Sequence, residues 1–200
     1  MLNISTHFGA KMTSSNVTSL SERVAGERRR LRQVRQALTA ATAAPASDAS
    51  ERRAFYIAIG DYFEAAMARL HEQDIRMGDM LRAKADMQDP ANVQAMAELD
   101  ERLAGNQQHL QKLLAARDHL RAEVAAATEE FEQAGGAYAS YIVANMGHHP
   151  GTANLAQAVF EPSDWEHMTL TSDAAQQREK ELFAKVFAIS PADVERPADA

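Results

Sequence analysis

Cysteine is missing from all 200 residues, which removes disulfides, thiolate metal sites and thiol nucleophiles together and fits a reducing compartment. Aromatic side chains make up only 6% of the chain against 46% hydrophobic residues overall, so alanine and leucine must carry much of any core. Basic charge is not in excess. A net charge of −7 and a pI near 5.5 disfavour nucleic acid as a general partner, because binding phosphates needs a dominant basic surface. No run reaches the roughly 18 apolar residues of a membrane span, so no membrane association is expected. The N-terminus lacks the basic segment and apolar core of a cleaved export signal. A cytoplasmic protein is the simplest expectation, although the Ser-, Thr- and Asn-rich start leaves export by an uncleaved signal open. Neither a phosphate-cradling glycine loop nor a Gly-x-Ser-x-Gly elbow occurs, which tells against an enzyme.

What the chain does have is helical period. Met96, Leu99, Leu103, Asn106, Leu110, Leu113, Arg117, Leu120, Val124, Ala127 and Phe131 alternate in steps of three and four, the coiled-coil spacing that keeps one helix side facing a partner. This predicts one long helix through Phe131, ended or kinked at Gly135 and Gly136. A preceding helix is expected from the capping box of Asp48 and Glu51 to about Ala85, burying Phe55, Ile59, Phe63, Met67, Leu70, Met77 and Leu81. Asp89 and Pro90 suit a cap and first turn, and the short connection folds the two helices into a hairpin. An amphipathic helix from Ser19 precedes them, with Glu27, Arg28, Arg29, Arg30, Arg32 and Arg35 on its outer faces. Shorter helices follow. They lie from Tyr138 through Tyr141, Ile142 and Asn145 up to Gly147, around Asn154–Phe160, after a capping box at Ser163 and Glu166, and from Ser172 or Asp173 to Ala188. The fold class is therefore all-α: an elongated antiparallel helical hairpin within a four-helix or larger bundle. One domain spans 19–190 with a linker at 42–50, between flexible tails at 1–18 and 191–200.

Polar residues on the buried stripes are the candidates for function. Asp74 falls in line with the apolar side of its helix and, across the hairpin, faces Arg102 and Asn106, so a buried polar clamp is expected there. Asn106 and Arg117 interrupt the long stripe and can fix register within the bundle or between protomers. His148 and His149, in a Pro- and Gly-bounded turn, form the densest histidine pair and can present two rings to one metal or ligand. His119 and Glu123 have ligand spacing but project away from the stripe, as a surface pair.

The segment Phe63 to Leu81, with Arg69, Leu70, His71 and Asp74, and the histidines on successive helices resemble hemerythrin-like bundle proteins. The resemblance implies a non-haem di-iron centre for oxygen or redox sensing, with Glu64, His71, Asp74, His109, His148 and His149 as candidate ligands. The chain departs from that pattern in having no His-x-x-x-His pair and Ile75 four residues after His71. The leading expectation is a regulatory or adaptor protein without cofactor, acting through protein–protein contact or self-association by helix faces.

Overall fold

A computed structural model describes residues 14–43, 49–145 and 150–197. Among these residues seven helices run in order: α1 (Ser14–Ala43), α2 (Ala49–Lys84), α3 (Pro90–Arg121), α4 (Ala127–Asn145), α5 (Pro150–Val159), α6 (Pro162–Met168) and α7 (Asp173–Ala188). The protein is all-α, and no strand occurs among the described residues. None of these helices is long and apolar enough to cross a membrane.

Side-chain pairs fix the topology of α1 to α4 as up-down-up-down. Glu27 of α1 meets Arg69 of α2, Arg82 of α2 meets Asp100 of α3, and Tyr138 of α4 meets Asn106 of α3. Leu38 of α1 closes the ring against Gly135 of α4. The main core lies between these four and α7, built from Phe55, Ile59, Phe63, Leu113, Phe131, Tyr138 and Phe183 among others. A smaller cluster fills the far end of the α2–α3 hairpin, where Leu155 and Ala156 of α5 cover Leu81, Met96 and Leu99. Local chemistry starts several elements: Asp89 caps α3 through Ala91 N–H with Pro90 in the first turn, and Ser172 caps α7 through Ala175 N–H.

Three features of the chain path differ from the sequence expectation. The long stripe is not one helix, because the chain turns back at residues 122–126 with Glu123 at φ 56° and Ala126 at φ 61°, and α4 returns along α3. Gly135 and Gly136 lie inside α4, not at a break. A β-carbon on Gly135 would stand 3.1 Å from Leu38 Cδ2, so the glycine is there to let two helices approach. The capping box of α6 is Glu161 with Asp164, about two residues upstream of Ser163 and Glu166.

The ends differ as well. Ser14–Thr18 already belong to α1, and the segment after α7 is packed: Pro191 and Val194 are buried, and Asp193 receives a 2.8 Å hydrogen bond from Arg52. That guanidinium holds the Asp193 carboxyl below the usual carboxylate range. Residues 44–48, which include the expected cap Asp48 and the centre of the expected linker, and the two terminal extremes lie outside the described residues.

Candidate functional site

Arg69 on α2 is a buried charge held between two buried carboxylates. Its Nε donates to Glu179 Oε2 of α7 at 2.7 Å, and its Nη1 donates to Glu27 Oε2 of α1 at 3.0 Å and to Gln73 Oε1 at 3.3 Å. All three ionic side chains are at least 93% enclosed, with Arg69 at 7%, Glu27 at 6% and Glu179 at 3% exposure. Arg30 of α1 adds its charge, with Nη2 3.7 Å from Glu179 Oε1. One guanidinium thus joins three helices. Beside it the Tyr62 hydroxyl is fully buried without a hydrogen-bond partner among the described residues, and burial pushes its ionisation far above the ordinary phenol range.

The arrangement sorts the α1 arginines into two sets. Arg23 and Arg30 share the inward side with Glu27, at helical spacing in phase with Val34, Ala37 and Ala41; Arg23 donates to the Thr169 carbonyl at 3.1 Å. Glu27 and Arg30 are therefore not on outer faces, as the sequence pattern suggested, because opposite charges on α2 and α7 receive them. Arg28, Arg32 and Arg35 recur at steps of four and three on the opposite side, where Arg28 and Arg32 are exposed and Arg35 is half-buried. None of the three has an ion-pair partner among the described residues.

Between α2 and α7 opens a cleft of about 750 Å³. Ala65, Ala68 and Ala175 line it with small apolar groups, while Glu72, Arg76 and Arg178 bring charge. Arg76 Nη1 donates to the carbonyls of His167, Met168 and Leu170 at 3.0, 3.3 and 2.9 Å, fixing the α6–α7 connection and leaving the Leu170 side chain 59% exposed at the rim. Arg178 and Glu72 line the same cleft without pairing with each other or with any other described residue.

The residues singled out from the sequence go to separate places. Arg117 is buried on α3 and donates to Asp61 Oδ1 at 3.2 Å and Glu64 Oε2 at 2.6 Å of α2. Burial disfavours its charge, but the hydrogen bonds and charges of Glu64 and Asp118 outweigh that and hold the guanidinium protonated above its ordinary range. Room for it comes from Gly60, where a β-carbon would lie 2.6 Å from Arg117 Cδ. Glu64 is thereby engaged by an arginine. Asn106 is buried, but its side-chain oxygen accepts from Tyr138 of α4 at 2.7 Å, so the neighbour that satisfies it is not on the hairpin. Arg102 is half-buried with Nη1 unpartnered, and its carbonyl accepts from Tyr141 at 2.9 Å. Asp74 is half-buried rather than enclosed.

His71 is half-buried with Nδ1 unpartnered, and His109 stacks on Tyr141 with centroids 4.6 Å apart. His119 does lie on the surface, but it pairs with Glu130 at 2.7 Å, while Glu123 pairs with Arg53 at 2.6 Å. The Arg53 guanidinium keeps the Glu123 carboxyl below its ordinary range. His148 and His149 lie outside the described residues. Among the described residues no three His, Asp or Glu side chains converge as metal ligands would.

Sequence reasoning missed the Arg69 junction. The signal was a second stripe on α2, where Tyr62, Ala66, Arg69, Gln73 and Arg76 repeat in steps of four and three beside the apolar one. No protein-family model, no curated protein and no solved structure matches this chain.

Proposed function

We propose that this protein is a helical-bundle regulatory or adaptor module that binds a short acidic segment of another protein along α1. The observation that supports this is the sorting of the α1 arginines: the bundle neutralises the inward set and leaves Arg28, Arg32 and Arg35 on one outer side. Those three span about 10 Å of helix at 1.5 Å per residue, the reach of carboxylates repeated over two turns of a partner helix. A local acidic segment fits better than an extended polyanion. At physiological salt, charge is felt over only about 8 Å, so a short segment experiences the three arginines and not the net charge of −7. A long duplex or an anionic bilayer would meet the acidic remainder of the surface as well.

A labelled helical peptide with glutamates at steps of four and three tests the reading by fluorescence anisotropy. The triple change Arg28→Glu, Arg32→Glu, Arg35→Glu should weaken binding tenfold or more and remove its salt dependence. Folding should survive, with stability altered by no more than about 0.5 kcal/mol per site because no partner is lost. Unchanged peptide affinity, or tighter binding of a duplex oligonucleotide than of the peptide, overturns it.

A further inference from the structure

The segment that follows α7 is a strap ordered mainly by its own bonds. Ser190 Oγ donates to the Phe187 carbonyl at 3.1 Å, and Val194 N–H donates to the Pro191 carbonyl at 3.0 Å. Arg196 closes the turn, donating from Nε to Ser190 Oγ at 3.0 Å and from Nη2 to the Ser190 carbonyl at 3.2 Å. The bundle, by contrast, grips this turn at few points. Asp193 accepts from Arg52 Nη2, Pro191 is buried, and Val194 inserts into the main core at 4% exposure. A unit ordered from within and held by one ion pair and two apolar side chains opens locally, without unwinding α7.

The seat beneath it is a buried charge. Arg52 in the first turn of α2 is 1% exposed, and Asp193 is its ion-pair partner among the described residues. Its Nη1 is also buried but has no hydrogen-bond partner among them, so a fork suited to both oxygens of a carboxylate is filled on one side. An acceptor that reached both nitrogens would satisfy the guanidinium better than Asp193 does. Asp193 itself is accessible to a competitor, with 34% of its side chain exposed.

We infer that residues 189–196 are a self-blocking latch: Asp193 and Val194 occupy a seat on α2 that accepts a peptide segment of another protein carrying an aspartate followed by an aliphatic residue. The strap itself displays the ligand chemistry, a carboxylate on Arg52 and an apolar side chain in the core beside it. Because it is tethered, it acts at an effective concentration in the roughly millimolar range, and a free segment gains access by engaging the idle Nη1 as well. This seat uses none of the outer arginines of α1 and stands independently of the preceding proposal.

Since the chain has no cysteine, one engineered thiol reports on the latch specifically. Val194→Cys places it under the strap, and Val34→Cys, at 0% exposure, places a control in the same core. A maleimide should label position 194 at least tenfold faster than position 34, because the first needs local opening and the second global unfolding. Adding Asp193→Asn should speed labelling at 194 tenfold again and leave 34 unchanged. A capped peptide copying Ser190–Arg196, at about 1 mM, should speed labelling at 194 severalfold by holding the seat, and a peptide with asparagine in place of the aspartate should not. The α1 triple variant should respond to the peptide as the parent does; a response lost there assigns the peptide to α1 and overturns the latch. Equal labelling at 194 and 34, no acceleration by Asp193→Asn, an inert peptide, or equal effects of the two peptides also overturns it.

Discussion

Two tyrosines show how a hydroxyl's worth depends on its partner. Tyr138 and Tyr62 are both fully buried, but Tyr138 donates to Asn106 at 2.7 Å whereas the Tyr62 hydroxyl meets no acceptor among the described residues. Removing a satisfied hydroxyl strands the amide oxygen it served, while removing an unsatisfied one relieves a desolvation cost. Tyr138→Phe should therefore lower stability by about 1–3 kcal/mol, and Tyr62→Phe should leave it unchanged or raise it by up to about 1 kcal/mol. Urea titrations of the two variants check the difference, and equal losses would mean that Tyr62 has an acceptor after all. The buried position of Asn106 was legible in the heptad stripe, where a polar residue at a core position announces itself. Its partner was not, because Tyr138 lies 32 residues away across a turn that the stripe concealed.

That turn is the instructive failure at the scale of elements. Leu120, Val124, Ala127 and Phe131 keep their spacing of four, three and four through it, so the periodicity continues although the chain reverses. Neither glycine nor proline marks residues 122–126; two non-glycine residues adopt the left-handed region instead, and Val124 is left 46% exposed. By contrast Asp89, Pro90 and Ser172 marked their helix starts with side-chain chemistry that acts locally, and these were readable. Ala126 is exposed and adopts a φ of 61°, so Ala126→Gly should remove strain without uncovering a core and stabilise the protein by about 0.5–1 kcal/mol. Thermal unfolding decides it, and a destabilised Gly variant would show that α4 helicity dominates over the turn.

For the molecule as a whole, the Arg69 junction couples α1, α2 and α7, and its energetics are asymmetric. Arg69→Met leaves Glu27 and Glu179 enclosed without their main counter-charge and should cost about 3–5 kcal/mol. Replacing all three together, Glu27→Leu, Arg69→Met and Glu179→Leu, should restore part of that loss, because an apolar trio of similar volume carries no desolvation penalty of its own, although Arg23 and Arg30 lose their carboxylates. Calorimetry on the two variants makes the comparison; a triple variant no better than the single one would place the contribution in packing instead of charge. The all-α bundle was readable from periodicity alone, whereas this junction joins residues 42 and 110 positions apart that carry no local mark. The same separation bears on biosynthesis. At about 5–20 residues per second, Arg69 emerges from a ribosome on the order of ten seconds before Glu179. During that interval a nascent bundle holds Tyr62 and its arginine facing an empty side, a natural target for chaperones and for quality-control proteases until α7 arrives.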